Sequence, residues 1–174
     1  MIFVTVGTEK FPFDRLMLWL NVLTQHHLLS VEQEEIIVQY GSCRILPRGV
    51  RVYDSLPTAK FQSLLQSARL IISHCGEGSI DMLETINVPY ILVPRSSRFG
   101  EYVDDCQVEL ATALAAMGIP IAWSPGDLIR FILSPYRIPS SMVPADYLVG
   151  LCQQLQERFG SQRRIPPSIP ITSQ

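Results

Sequence analysis

The chain has 174 residues, 47% hydrophobic and 17% charged, with 14 Lys and Arg against 16 Asp and Glu for a formal charge of −2. That size suits one domain of ~100–200 residues and excludes two complete nucleotide-binding folds of roughly 150 residues each. The balanced charge, without a basic stripe, argues against nucleic acid as a partner, and no apolar run approaches the ~20 residues of a membrane span.

Met1 to Val6 is a β-branched apolar run ending in Gly7-Thr8, the pattern of a buried strand entering a glycine loop. No basic segment precedes it, so the start reads as a strand and not as a secretory leader, and the chain is expected in the cytosol. Asp14 to Leu28 carries Leu16, Leu20, Leu23 and Leu28 with Trp19 beside them, predicting a helix entered through Pro12 and capped by Asp14. Glu35 to Tyr40 and Arg51 to Tyr53 read as strands, and Thr58 to Ala68 as a helix with Phe61, Leu64, Leu65 and Ala68 on one side. Leu70 to Ser73 predicts another buried strand, His74 to Ser79 a tight glycine loop, and Ile80 to Ile86 a helix stopped by Asn87 and Pro89. Tyr90 to Val93 is strand-like, Val103 to Met117 helical, and Ile119 to Trp123 a final short strand. A short helix from Asp127 to Leu133, a Pro/Ser-rich linker, an amphipathic helix from Ala145 to Phe159 and a disordered tail over 161–174 complete the pattern.

Strands alternating with helices predict an α/β fold over residues 1–160, a Rossmann-like parallel sheet with helices on both faces. Cys43, Cys75, Cys106 and Cys152 are too dispersed for the C-x-x-C pair of a zinc site or redox motif, so reduced thiols are expected; Asp104-Asp105 is not a D-x-D metal pair, and neither a metal nor a cofactor is expected. A mean hydropathy of +0.20 with few charges implies an apolar patch on the outside that meets a partner or a membrane. The apolar residues of the 145–159 helix, Tyr147, Leu148, Leu151, Leu155 and Phe159, suit either such an interface or the chain's own core.

Ligands of open α/β sheets sit beyond the carboxyl ends of the strands, where glycine turns present backbone N–H groups at helix N-termini. Gly7-Thr8 and Gly76-Glu77-Gly78-Ser79 are two such loops, read either as plain tight turns or as seats for a diphosphate. The first lacks the G-x-G-x-x-G of dinucleotide-binding domains. Arg95 to Gln107 falls at the same edge and is dense in polar groups. Its Asp104, Asp105 and Gln107 suit either the first turn of a helix or the hydroxyls of a sugar.

Three segments carry a more specific pattern. They are Met1 to Thr8 with Pro12 to Leu16, then Ile72 to Ser79, then Val93-Pro94-Arg95 followed by Gly100-Glu101-Tyr102-Val103-Asp104-Asp105-Cys106-Gln107-Val108-Glu109-Leu110-Ala111. In this order the chain resembles the family 28 glycosyltransferase C-terminal domain in its stand-alone form, found in split transferases that build dolichol-linked and exopolysaccharide precursors. The resemblance runs from Met1 to about Trp123. It implies half of a GT-B glycosyltransferase: this chain would bind a UDP-sugar donor, and a membrane-anchored partner would bring a lipid-linked acceptor to the cytosolic face. By the same resemblance Gly76, Glu77, Gly78 and Ser79 would hold the diphosphate, with Gly7, Thr8 and His74 close by. Tyr53 would lie near the base, Asp104, Asp105 and Gln107 would face the sugar with Arg95 in their cluster, and Glu101 would be a candidate general base if the partner supplies none.

Gly78→Val is then expected to abolish donor binding, both by blocking the phosphate and by disfavouring the turn's backbone angles. The chain departs from the family pattern at Met82, where a ribose-binding glutamate is common, and at Tyr102 and Cys106, where histidines are usual. Glu77 is the alternative ribose contact. The departures leave room for a second reading, a nucleotide-sugar-binding or scaffold subunit without catalysis.

Overall fold

The computed structural model describes residues 1–138 and 145–160. Five parallel strands form one sheet: β1 (Ile2–Thr5), β2 (Ile36–Gln39), β3 (Arg51–Tyr53), β4 (Leu70–His74) and β5 (Tyr90–Val93), in the order β3-β2-β1-β4-β5. Among the described residues six α-helices accompany them: α1 (Asp14–Gln25), α2 (Thr58–Ser67), α3 (Glu77–Glu84), α4 (Cys106–Ala116), α5 (Pro125–Leu133) and α6 (Ala145–Gly160). Beyond β5 the run expected as a final strand makes one parallel bridge, Ile121 to Leu92. Pro120 there accepts from the Leu92 N–H but has none to give to the ladder.

Side-chain alternation sorts the core into two layers. Ile2, Val4, Val6, Val38, Leu70 and Ile72 point to one face and pack under α1 and α5, through Leu16, Leu20, Leu23, Leu128 and Ile132. Phe3, Ile37, Ile71 and Leu92 point to the other, where Leu64 of α2, Ile80 and Leu83 of α3, Leu110 and Leu114 of α4 and Leu155 of α6 close over them. α6 therefore covers the chain's own core through Leu155, with Leu151 and Phe159 packed beside it. The side chains of Tyr147 and Leu148, and the 161–174 segment expected as a tail, lie outside the described residues.

Three boundaries and one cap depart from the sequence pattern for identifiable local reasons. α1 ends at Gln25, and His27 then adopts a positive φ of 54°. Asp14 does not cap α1: its Oδ1 accepts from the N–H groups of Arg44 and Ile45, pinning the 43–48 segment alongside the helix. α3 begins at Glu77, inside the expected loop, with Gly76 as its N-cap. α4 begins only at Cys106, because Asp105 turns back to accept from the Ser97 N–H and the Ser96 hydroxyl.

Candidate functional site

The strand order reverses between β1 and β4, and an α/β sheet opens a crevice at the carboxyl ends of such a pair. A cavity of about 470 Å³ occupies that position. Thr5, Gly7 and Thr8 line it from β1, and His74, Cys75 and Gly76 from β4. Glu77, Gly78, Ser79 and Met82 of α3, Ser55, Leu56 and Phe61 around the start of α2, and Cys106, Gln107 and Leu110 of α4 complete most of the wall.

The two glycine turns meet on one imidazole. A Cβ on Gly7, whose φ is +77°, would fall 2.5 Å from His74 Nε2, and one on Gly76 would fall 2.5 Å from its Cε1. The side-chain space of both glycines is filled by His74, whose Nε2 lies 2.8 Å from Ser79 Oγ. Burial, together with the nearby Arg95 guanidinium, pushes the imidazole down to about 4, with the Gln107 amide partly opposing, so His74 is neutral at pH 7. Gly78 behaves differently. It sits in the first turn of α3, has no positive φ, and nothing lies within 4 Å of the Cβ it lacks. The backbone half of the expectation for Gly78→Val is thereby overturned, since Gly78 has ordinary helical surroundings open to the cavity.

The N-terminus of α3 opens on the cavity, and the first N–H groups of a helix have no partners within it. With the helix dipole behind them, these groups favour an anion. Glu9 and Glu77 are the carboxylates in the wall, and no Lys or Arg lines it among the described residues. Beneath it Gln39 accepts from the Thr5 hydroxyl at 2.7 Å and donates to the carbonyls of Gly7 and Asp54, tying the loop after β1 to the loop after β3.

Of the residues expected at the site, Gly7, Thr8, His74, Gly76, Glu77, Gly78, Ser79 and Gln107 come together in this cavity. Five do not line it. Tyr53 packs into the core under α2. Arg95, 1% exposed, donates to the carbonyls of Val6, Phe11 and Glu101 and stacks on Phe13. Glu101, 2% exposed, is held by the Arg15 guanidinium at 2.9 and 2.8 Å and by the Ser96 N–H. Held in this way, Glu101 faces Arg15 and Ser96 and does not line the cavity. Asp104 accepts from the Cys106 N–H, and Asp105 from Ser96 and Ser97, whose hydrogen bonds hold its carboxyl below the usual range. Both serve the loop and not the cavity. Gln39, Phe61, Tyr102 and Leu155 line the site without having been expected there. The sequence signal for Gln39 is that a polar residue ends the otherwise apolar strand β2.

The sequence matches the model of the glycosyltransferase family 28 C-terminal domain over residues 1–135. No curated protein matches it. Among solved structures, the glycotransferase of kitacinnamycin is similar over 93% of this chain and 40% of its own length, at 18% identity and a TM-score of 0.55. The glycosyltransferase SnogD from Streptomyces nogalater is similar over 90% of this chain and 39% of its own, at 20% identity and a TM-score of 0.51. The chain thus spans about 40% of these two proteins, and the likeness is one of fold, the Rossmann-like half of a GT-B transferase. With the family pattern running through β1 to α5 and the cavity at the sheet's switch point, the chain belongs to the family of glycosyltransferase family 28 C-terminal domains.

Proposed function

We propose that the cavity binds a UDP-sugar, and that the chain is the donor-binding subunit of an inverting glycosyltransferase whose acceptor is a lipid-linked saccharide carried by a membrane-anchored partner. The observation that carries this reading is the open N-terminus of α3 at the switch point, in a chain of this family. The diphosphate sits against the N–H groups of Glu77 and Gly78 with the Ser79 hydroxyl beside them. Phe61 and Leu56 offer an apolar wall to the base, in place of Tyr53, and Glu77 takes the ribose hydroxyls. Gln107 and Thr8 are left for the sugar.

When the acceptor hydroxyl attacks the anomeric carbon, the bond to the diphosphate breaks and negative charge collects on the departing oxygen. Amide groups already aimed at that point stabilise it without reorganisation. The acceptor's proton goes to a base on the partner, since Glu101 is enclosed. The absence of cations from the described wall makes the chain a weak binder alone. It also favours one further reading, a subunit that holds the nucleotide sugar without catalysis.

Calorimetry on the folded chain with UDP, UDP-glucose, UDP-N-acetylglucosamine and UDP-glucuronate tests the site. Weak binding of UDP with a preference among the sugars is expected, and no heat with any of them overturns the donor reading. Transfer by the purified single chain, with no partner present, overturns the divided enzyme.

A further inference from the structure

The outer face of α1 has no part in the cavity, yet its residues are unusual for a water-facing helix. Leu18 and Val22, one turn apart, are 47% and 42% exposed and form its crest. On one flank the 43–48 segment is pinned by Asp14 to the N–H groups of Arg44 and Ile45 and by Asn21 to that of Arg48. This lays Leu46, 41% exposed, alongside α1 between the points held by Asp14 and Asn21. On the other flank the Arg15 guanidinium lies 4.8 Å from the rings of both Trp19 and Phe99, and Phe99 is 57% exposed. At ~100° per residue, Asn21, Asp14, Leu18, Val22, Arg15 and Trp19 follow one another around the helix. The face is therefore continuous from Leu46 to Phe99.

Exposed cations border this apolar strip. Arg44 and Arg48 stand on one side, Arg98 over Phe99 and Lys10 over Phe11 on the other. None of the four is in an ion pair among the described residues. The carboxylates within the face are spent internally, Asp14 on backbone N–H groups and Glu101 on Arg15. Glu9, Glu32 and Asp54 are exposed carboxylates near it in the chain. An apolar crest that sinks among acyl chains while flanking Lys and Arg reach phosphates is the arrangement by which a surface helix lies on an anionic bilayer.

We propose that the outer face of α1, with Leu46 and Phe99 on its flanks, docks directly on an anionic lipid surface. Phe11 packs against Tyr102, which lines the cavity, so docking brings the cavity mouth close to the membrane plane. The contact is the chain's own and does not depend on what the cavity binds.

The test is sedimentation of the full chain with vesicles of phosphatidylcholine alone and of phosphatidylcholine mixed with phosphatidylglycerol. Binding is expected only to the mixed vesicles, weakening with salt. Val22→Asp is expected to lower it by roughly tenfold or more. Val149→Asp, exposed on α6 over the opposite layer, leaves it unchanged. The chain has two tryptophans, so in a Trp123→Phe background Trp19 reports alone, and its emission shifts to the blue on binding. If Val22→Asp fails to fold, Arg44→Gln with Arg48→Gln replaces it and weakens binding to the mixed vesicles. Absence of binding to the mixed vesicles, or full binding by the folded variants, overturns the proposal. Self-association of the wild type that Val22→Asp abolishes, without vesicle binding, assigns the face to a second copy and overturns it equally.

Discussion

His74 shows how one side chain sets the character of its surroundings. Because its ring fills the space over Gly7 and Gly76, Gly76→Ala drives a methyl against Cε1 and Nδ1, at 2.5 and 2.9 Å. Overpacking of this kind costs about 1–3 kcal/mol, and urea unfolding is expected to show it. Its coupling with His74→Ala is expected to be favourable, since removing the ring frees the space. The imidazole also makes stability depend on pH. It ionises at about 4 in the folded chain and at about 6.5 when unfolded. Between those values the unfolded chain binds more protons, so stability is full above about 6.5 and falls toward about 4, by up to ~1.4 kcal/mol per pH unit. Urea midpoints at pH 7 and pH 5 are expected to lie closer together in His74→Asn than in the wild type. Glu101 leads to the opposite kind of test. Arg15→Ala leaves its carboxylate buried and unpaired at a cost on the order of 3 kcal/mol. Thermal unfolding should register that loss, while UDP affinity of the folded fraction stays close to wild type. A large loss of affinity with unchanged melting would return Glu101 to the site.

At the scale of elements, α3 separates what the sequence pattern encodes from what tertiary structure decides. The strands β1, β2, β4 and β5 were legible because each is an apolar run buried on both faces. Both glycine loops were legible as turns at the ligand edge. The reason for each glycine was not, since Gly7 and Gly76 answer to a histidine packed between them, and Gly78 answers to no neighbour. The contacts of the 95–105 segment were not legible for a related reason: partners of Arg95 and Glu101 include Val6, Phe11 and Arg15, more than 80 residues away, where no local period reaches. Gly78 gives the element its own prediction. A helical glycine with open space beside it gains from a methyl, so Gly78→Ala should raise stability by up to about 1 kcal/mol. Gly78→Val keeps the fold and crowds the α3 N–H groups. Calorimetry with UDP is expected to rank the wild type above Ala and Ala above Val, and equal affinity for all three would remove the diphosphate from this helix end.

The molecule as a whole is a sheet with unequal covers, and α6 is where the inequality is largest. α1 and α5 cover one layer, whereas α2, α3, α4 and α6 cover the other, so α6 closes a layer that already has three helices. Two of the contacts that hold it there are of very different worth. Leu155 is 6% exposed and lines the cavity together with Leu110, so its side chain is shared by the core and the site wall. Arg158 meets Glu109 at 2.7 Å, but the two side chains are 68% and 33% exposed, and water competes for such a pair. Leu155→Ala should therefore cost ~2–5 kcal/mol, and Arg158→Ala less than about 1 kcal/mol. If α6 closes the core, ending the chain at residue 144 lowers the urea midpoint by at least as much as Leu155→Ala and weakens UDP binding, because one wall of the cavity goes with it. A truncated chain with an unchanged midpoint and unchanged affinity for UDP would instead mean that α6 contributes nothing to this layer or to the cavity wall, and that Leu155 is buried for the sake of a partner.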